Sequence, residues 1–415
     1  MSADAVVARV WKEEAARLIG GLARLVHDVS LAEELAQDAL VIALEQWPRS
    51  GVPDNPGAWL MTTAKNRALN SMRRAKLSAQ TGEALGHELE THVPLAELEA
   101  AFEASMDSEV SDDVLRLLFT ACHPLLSQEA RVSLTLRMVG GLTTAEIARA
   151  FLATEPAIAQ RIVRAKRTLA EAQVPFEVPS GVELGPRLFS VLEVVYLIFN
   201  EGYSATAGED LLRPALMGEA LRLGKLLVVL APAEPEVYAL MALMQLQGSR
   251  ANARTDAAGE AVLLADQDRS RWDHQAIASG LESLARATKP GAYRFQAEIA
   301  SCHAVAPNAN ETNWARIASL YGELAALAPS PVIELNRAMA ISRAEGPAVG
   351  LALLDALAAE PTLLRYHLLP SARADLLQRL GRLDEAAAEF ERAASLAQNS
   401  RQRERLEARA TACRK

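Results

Sequence analysis

A chain of 415 residues is long enough for two or three domains with cores of their own. Half of it is apolar and only 5% is aromatic, with alanine and leucine dominant, a composition that favours helices over sheets. The net charge of −9 excludes a protein that is basic all over, but the average hides a strong segregation. No apolar run reaches the ~18 residues that a membrane span needs. The amphipathic, partly acidic start MSADAVVARVWKEEAARL is not built like a secretory signal. Cys122, Cys302 and Cys413 are scattered and odd in number, so no disulfide framework is implied. A cytoplasmic protein without membrane association is expected.

In chain order, residues 1–82 carry ten Lys/Arg against nine Asp/Glu and read as helices. Apolar spacing predicts helices over 11–27 and 31–47, the second with Leu35, Ala39, Ile42 and Ala43 inward and Glu33, Glu34, Gln37 and Asp38 polar. PRSGVPDNP, residues 48–56, should break the chain with its three prolines. A third helix over 58–76 would carry Trp59, Leu60, Ala64, Ala68, Leu69 and Met72 on one side. Its other side holds Lys65, Asn66, Arg67, Asn70, Arg73 and Arg74, and residues 55–82 contain no acid. Bases interleaved with amides suit phosphate contact with some base-edge reading. Trp59 could stack on an exposed base, or simply be core.

Residues 83–115 reverse the charge, with ten acids and no Lys or Arg, and residues 116–174 return to eight bases against four acids. The acidic block reads as a solvated linker, or as one that folds over the basic modules or enters a partner's basic channel. Within the following segment, Thr143 and Glu146 have the spacing of a capping box for a short helix with Ile147, Ala148 and Phe151 inward. After a turn at Leu152-Ala153, Thr154-Glu155-Pro156 starts a second helix. Ile158, Ile162, Ala165 and Leu169 form its inward stripe, and Arg161, Arg164, Lys166 and Arg167 lie elsewhere on its surface. Two short helices, a tight turn and a basic outer face describe a helix-turn-helix, although an ordinary helical hairpin with solvated arginines shares the pattern.

LAEELAQDALVIALEQW followed by NPGAWLMTTAKNRALNSMRR resembles region 2 of the extracytoplasmic-function sigma factors of bacterial RNA polymerase. LLSQEARVSLTLRMVGGLTTAEIARAFLATEPAIAQRIVRAKRTL resembles their region 4, in the right order and at the right gap. The resemblance implies that core RNA polymerase and promoter DNA are the partners. It places Glu33, Glu34, Leu35, Gln37, Asp38, Leu40, Val41 and Leu44 on the helix that grips the polymerase clamp. Trp59, Lys65, Asn66, Arg67, Asn70, Arg73 and Arg74 would melt and read the −10 element. Thr144, Glu155, Ala157, Gln160, Arg161, Arg164, Lys166 and Arg167 would meet the −35 element, and the acidic segment would thread toward the RNA exit path. Ala157 and Ala159 stand where the family often has Thr and Lys, and Asn70 where it often has Asp, which implies a retuned promoter sequence or weaker reading there.

Past a Pro/Gly-rich hinge at 175–187, residues 188–415 are again helix-like. Helices are expected over 188–199, 211–230, 236–247, 257–265, 274–287, 292–304 and 313–327, punctuated by turns such as PAEP, KPG and APSP. Gly381, Ala386, Phe390 and Ala393 match the tetratricopeptide pattern of a tight turn and small packing residues. Leu354 and Leu357 precede Phe390 and Ala393 by 36 residues, near the typical repeat. YLIFNEGYSATAGEDLLRPALMGEALRL and LLADQDRSRWD also resemble the extension of one sigma subgroup with a C-terminal helical-repeat domain.

Asn200, Glu201, Tyr203, Asp268, Arg271 and Trp272, with Phe199, Asp266, Gln267, Arg269 and Asp273 nearby, form either a pocket or a set of helix caps and bridges. His87, His92 and Cys122-His123 lack zinc-ligand spacing, Glu201 and Asp210 are the one carboxylate pair worth weighing, and no nucleotide-binding or hydrolase motif occurs, so neither metal, cofactor nor catalysis is expected.

The expected protein is all-α: a region 2 module at 1–82, an acidic linker at 83–115, a helix-turn-helix at 116–174, the hinge, and a tetratricopeptide-like solenoid at 188–415. It would be a promoter-specific initiation subunit whose C-terminal domain touches regions 2 and 4 or takes an unidentified protein or small-molecule effector. The alternatives are a one-component helix-turn-helix regulator, and a repeat scaffold or all-helical enzyme.

Overall fold

The computed structural model describes residues 3–82, 110–151, 153–204, 212–256 and 262–415; side chains at 3–5, 8, 12, 71–82, 110–112 and 149 are outside the description. The chain divides into two units, 1–195 and 196–415. Among the described residues the regular elements are helices, as composition led us to expect.

In the first unit, α1 (Ala3–Val26) packs against α2 (Val29–Ser50), α3 (Pro56–Gly82) and α4 (Val110–Ala121). Val7, Trp11, Ala15, Leu18 and Leu22 recur at helical spacing along α1 and are buried. Gly20 lets α1 and α4 approach closely, because a Cβ there would lie 2.9 Å from the Asp113 carbonyl oxygen. Asp113 is itself buried between Arg24, at 3.1 Å, and Arg116, at 2.7 Å. Asp28 caps α2 by accepting from Ser30 N (2.7 Å) and Leu31 N (3.0 Å).

Two expectations about boundaries need correction here. The acidic segment was taken to run to 115, but α4 begins at Val110 and buries Val114 and Leu115. Apolar partners on α1 and the two arginines around Asp113 make this end of the segment core; residues 83–109 lie outside the described residues. The break expected at Pro48 comes later, because α2 continues through that proline to Ser50 and closes at Gly51 (φ 82°). One missing N–H in an exposed last turn costs little where water can replace it.

The helix-turn-helix segment follows its sequence closely. α5 (Gln128–Met138) and α6 (Thr144–Ala150) both pack on α7 (Glu155–Glu171). The capping box is formed, with Thr143 N donating to Glu146 Oε2 at 2.8 Å and Glu146 N donating to Thr143 Oγ1 at 3.1 Å. Ile158, Ile162, Ala165 and Leu169 are the buried stripe of α7.

The hinge expected to end at 187 does not separate the domains there. α8 (Leu184–Tyr203) starts in the first unit, where Arg187 Nη2 donates to the Phe119 carbonyl at 2.9 Å. Ser190 Oγ donates to the Cys122 carbonyl at 2.6 Å, and Arg131 Nη1 reaches Ser190 Oγ at 2.6 Å and Glu193 Oε2 at 2.9 Å. Arg187 and Ser190 thus satisfy free carbonyls at the end of α4.

In the second unit, each helix packs on the next: α9 (Pro214–Leu230), α10 (Pro235–Gly248), α11 (His274–Arg286), α12 (Ala292–Val305) and α13 (Trp314–Leu327), then α14 (Pro331–Ala344), α15 (Pro347–Ala356), α16 (Leu368–Arg379), α17 (Leu383–Leu396) and α18 (Ser400–Cys413). Proline starts four of these, where its missing N–H costs nothing. Asp273, Asn313 and Asn399 cap three others. The helix expected from 211 starts at Pro214, and of the one expected over 257–265 the described part forms only a 3-10 turn at Leu264–Asp266. Gly381 (φ 76°) turns α16 into α17, and Ala386, Phe390, Ala393 and Leu354 are fully buried in one core.

If the start of α8 completes the helix-turn-helix unit, a chain cut after residue 174 should melt at a lower temperature than one cut after 195. Circular dichroism melting of both measures this; equal melting temperatures would show that α8 contributes nothing there.

Candidate nucleic-acid interface

The interface is built from the exposed faces of α2, α3 and α7. On α7, Gln160, Val163, Arg164 and Arg167 share one exposed face, with Glu155 and Ala157 exposed near its start and Arg161 half-buried at its edge. Arg167 is held by Glu171 one turn on, at 2.7 Å. Val163 is 64% exposed on this otherwise polar face and could meet a thymine methyl. Sequence reasoning passed over it because a single valine in an alternating helix carries no signal of exposure. Thr144 is half-buried at the start of α6.

Lys166 is placed differently from expectation. It forms an ion pair with Glu33 Oε2, and Arg137 Nε donates to Glu33 Oε1 at 2.7 Å. Glu33 is 3% exposed, and Gln37 Nε2 donates to the same oxygen at 2.6 Å. Burial works to raise the Glu33 carboxyl, but the Lys166 and Arg137 charges and hydrogen bonds outweigh it and hold it below the usual carboxylate range. Glu33 was expected to face the polymerase and Lys166 the DNA; in this conformation each neutralises the other, joining α2 to α5 and α7. Leu35, expected on the polymerase-facing surface, is 5% exposed and is core. The exposed face of α2 carries Glu34, Val41 and Leu44, with Gln37, Asp38 and Leu40 half-buried beside it. Val41 and Leu44, 52% and 40% exposed, are the apolar part of that face.

On α3, Asn66, Arg67 and Asn70 are exposed and Lys65 is half-buried. Arg67 Nη2 contacts Asp38 Oδ2 at 2.6 Å, so two residues expected at different interfaces pair across α2 and α3. Both are more than 40% exposed, so the pair is weak and exchangeable. Trp59 is half-buried and meets buried Trp47 edge-on, with centroids 5.5 Å apart, which gives it a packing role in this conformation. The Arg73 and Arg74 side chains lie outside the described residues.

The six residues offered as a pocket in the second unit all make contacts within its scaffold. Glu201 is buried against Arg213, Tyr203 stacks on Phe199 and lies under Arg254, and the Asn200 side chain hydrogen-bonds Tyr196. Asp268 caps the turn Arg269–Arg271, and Arg271 donates to the Thr255 carbonyl at 3.2 Å. Trp272 is buried beneath the Arg269 guanidinium, 4.3 Å from the ring centroid. Capping and bridging account for this density of polar and aromatic groups.

Burial pushes the Cys122 thiol up to about 12, with its sulfur 3.2 Å from Thr135 Oγ1. It is a core residue. Among the described residues no group of three or more His, Cys, Asp or Glu could hold a metal ion, and no helix is long and apolar enough to cross a membrane.

Two tied helical modules, the second a helix-turn-helix with an exposed polar and basic face, define the class of a DNA-binding transcription protein. Residues 10–77 match Sigma-70 region 2 and residues 116–169 match Sigma-70, region 4. Residues 187–288 match a family of unknown function, DUF6596. An uncharacterized protein, R00370, of Rhizobium meliloti (strain 1021) is 42% identical over 387 residues, 92% of this chain and 90% of that protein. The ECF RNA polymerase sigma factor SigK of Mycobacterium ulcerans (strain Agy99) is 29% identical over 157 residues, 37% of this chain and 78% of SigK. No solved structure matches the chain. The chain carries sigma-70 regions 2 and 4 in that order, as sigma factors do, followed by a C-terminal helical extension.

Removing one partner of a buried ion pair leaves the others uncompensated, so Glu33→Gln should cost about 3 kcal/mol of unfolding free energy at neutral pH. A carboxyl held low in the folded state stabilises fully above its unfolded value, about 4.3, and stops doing so as pH falls through its folded value. The stability gap between natural chain and variant, measured by urea unfolding, should therefore narrow as pH is lowered. A gap that does not change with pH would show that the carboxylate charge is not what joins the modules.

Proposed function

We propose that this sigma factor directs core RNA polymerase to a specific set of promoters, with region 2 opening the −10 element and region 4 reading the −35 element. The observation that carries the reading is the exposed α7 face of Gln160, Val163, Arg164 and Arg167, set on a buried stripe in a module tied to region 2. Arg161 serves as an edge contact. The α2 face of Glu34, Val41 and Leu44 docks on the polymerase, since exposed apolar residues on a polar helix favour a protein partner. The exposed amides and bases of α3, continuing to Arg73 and Arg74, take the melted strand. Lys166 and Glu33 reach DNA and polymerase only when their ion pair opens. The C-terminal extension sets the availability of the two sigma regions, through contact with them or through an effector.

Run-off transcription with purified core enzyme tests this reading. Core plus the full chain should initiate at a defined promoter, while the chain alone binds duplex DNA weakly, because an acidic segment interrupts its two basic stretches in a chain of net charge −9. Removing residues 196–415 should change output several-fold without altering promoter preference. Tight sequence-specific duplex binding without core would favour a one-component regulator instead.

A variant series separates the roles. Arg164→Ala should weaken −35 recognition by about 1–3 kcal/mol if the contact is bidentate to a base, whereas Lys166→Ala should chiefly lower stability. Joint Arg73→Ala and Arg74→Ala should impair opening and be rescued by a pre-melted bubble. Val41→Glu with Leu44→Glu should reduce affinity for core. Equal losses of −35 binding from Arg164→Ala and Lys166→Ala would show that Lys166 faces DNA in the working state.

A further inference from the structure

The second unit holds a cavity of about 560 Å³ between the turns at Leu264–Asp266 and Ala309–Glu311 and helices α13, α14, α16 and α18. Its size suits a small ligand. Among the described residues four guanidiniums line it, those of Arg269, Arg343, Arg379 and Arg409, with Asp375 as the one acidic lining residue. Asp375 is shared, lying 2.9 Å from Arg409 and 4.0 Å from Arg343. Arg379 and Arg269 have no carboxylate of their own in the wall: Arg379 Nη2 donates to the Ser342 carbonyl at 3.3 Å, and Arg269 Nη1 to those of His303 and Ala306 at 2.7 and 2.8 Å.

His303 adds no compensating charge. Burial first, then Arg250 and Arg269, lowers it to about 4, so it is neutral near pH 7. A second cavity of about 400 Å³ shares Leu264, His303 and Asn336 with the first and adds Arg250 and, among the described residues, no acid. A concave wall of one sign concentrates the opposite charge, and guanidiniums in a fork match carboxylate and phosphate oxygens. Beside the arginines, Trp314, Leu335 and Met339 supply an apolar wall.

We propose that this cavity binds a small organic oxyanion, a carboxylate or a phosphate ester with an apolar or aromatic body. The oxyanion displaces part of the Asp375 contact with Arg343 and Arg409, and the body lies against Trp314 and Met339. Most of the lining falls beyond residue 288, outside the segments matched to known families. The proposal concerns binding alone, so it stands or falls separately from the role of the extension in transcription.

Calorimetry and thermal melting of the full chain test it, with inorganic phosphate, phenyl phosphate and phenylacetate, each compared with sodium chloride at equal ionic strength. Binding of phenyl phosphate or phenylacetate above the salt control is expected, and whichever binds tighter identifies the head group. Arg343→Gln with Arg379→Gln, both at exposed residues, should weaken binding at least tenfold while the helical spectrum is kept. Asp375→Asn should strengthen binding several-fold by releasing two guanidiniums; a purely structural cluster would lose stability and gain no affinity. Stabilisation no greater than that from chloride, or affinity unchanged in the arginine variant, would overturn the proposal. So would a synthetic peptide of residues 83–109 that binds more tightly than both small anions, since the cavity would then be a site for acidic peptide.

Discussion

A buried carboxylate with two cations around it governs the first unit. Glu33 sits 3% exposed on the helix that region 2 would turn to the polymerase, and its partners come from the two longer helices of the helix-turn-helix unit. Such a pair contributes little net stability compared with apolar packing, because both charges must be desolvated. It fixes one arrangement instead, since any other would leave a charge unpaired. The second tie, Asp113 between Arg24 and Arg116, follows the same logic where α1 crosses α4 at Gly20. Ionic contacts thus sit beside the apolar packing of α1 on α4, and the Glu33 cluster is the part of the junction that water and counter-ions could replace.

Local features were legible in the sequence because they depend on neighbours a few residues away. The inward stripe of α7 and the Thr143–Glu146 box appear as read, since helical period and capping are settled within one or two turns. The assignments that failed involve distance. Glu33 and Arg137 are 104 residues apart, and polar spacing on α2 cannot distinguish a carboxylate facing solvent from one facing a distant arginine. Lys166 was grouped with its arginine neighbours for the same reason. Charge runs show which side of a helix is polar, not what that side meets.

The domain boundary shows a related failure. PFEVPSGVELGP has the composition of a hinge, and residues 175–180 form no regular structure. Yet Arg187, Ser190 and Glu193 immediately beyond it belong to the first unit through hydrogen bonds to α4 and α5. A proline- and glycine-rich stretch marks where helix stops, whereas a domain boundary depends on where long-range contacts stop. The two fall about twenty residues apart here, and α8 spans the difference.

In the second unit the polar residues near Trp272 make capping and bridging contacts, and of the cavity's four arginines only Arg269 lies in a stretch that the sequence singles out. Arg343, Arg379 and Arg409 lie inside helices that the sequence leaves unremarked, whereas Arg269 begins a 3-10 turn. An array of helices packed neighbour on neighbour explains why. Every helix has a face that is neither core nor fully solvent, and residues there are free of packing demands. Their identities can therefore collect one sign of charge at small cost to the fold. The fold asks only that Ala386, Phe390, Ala393 and their counterparts fill the seams; the helix faces turned away from those seams are left open.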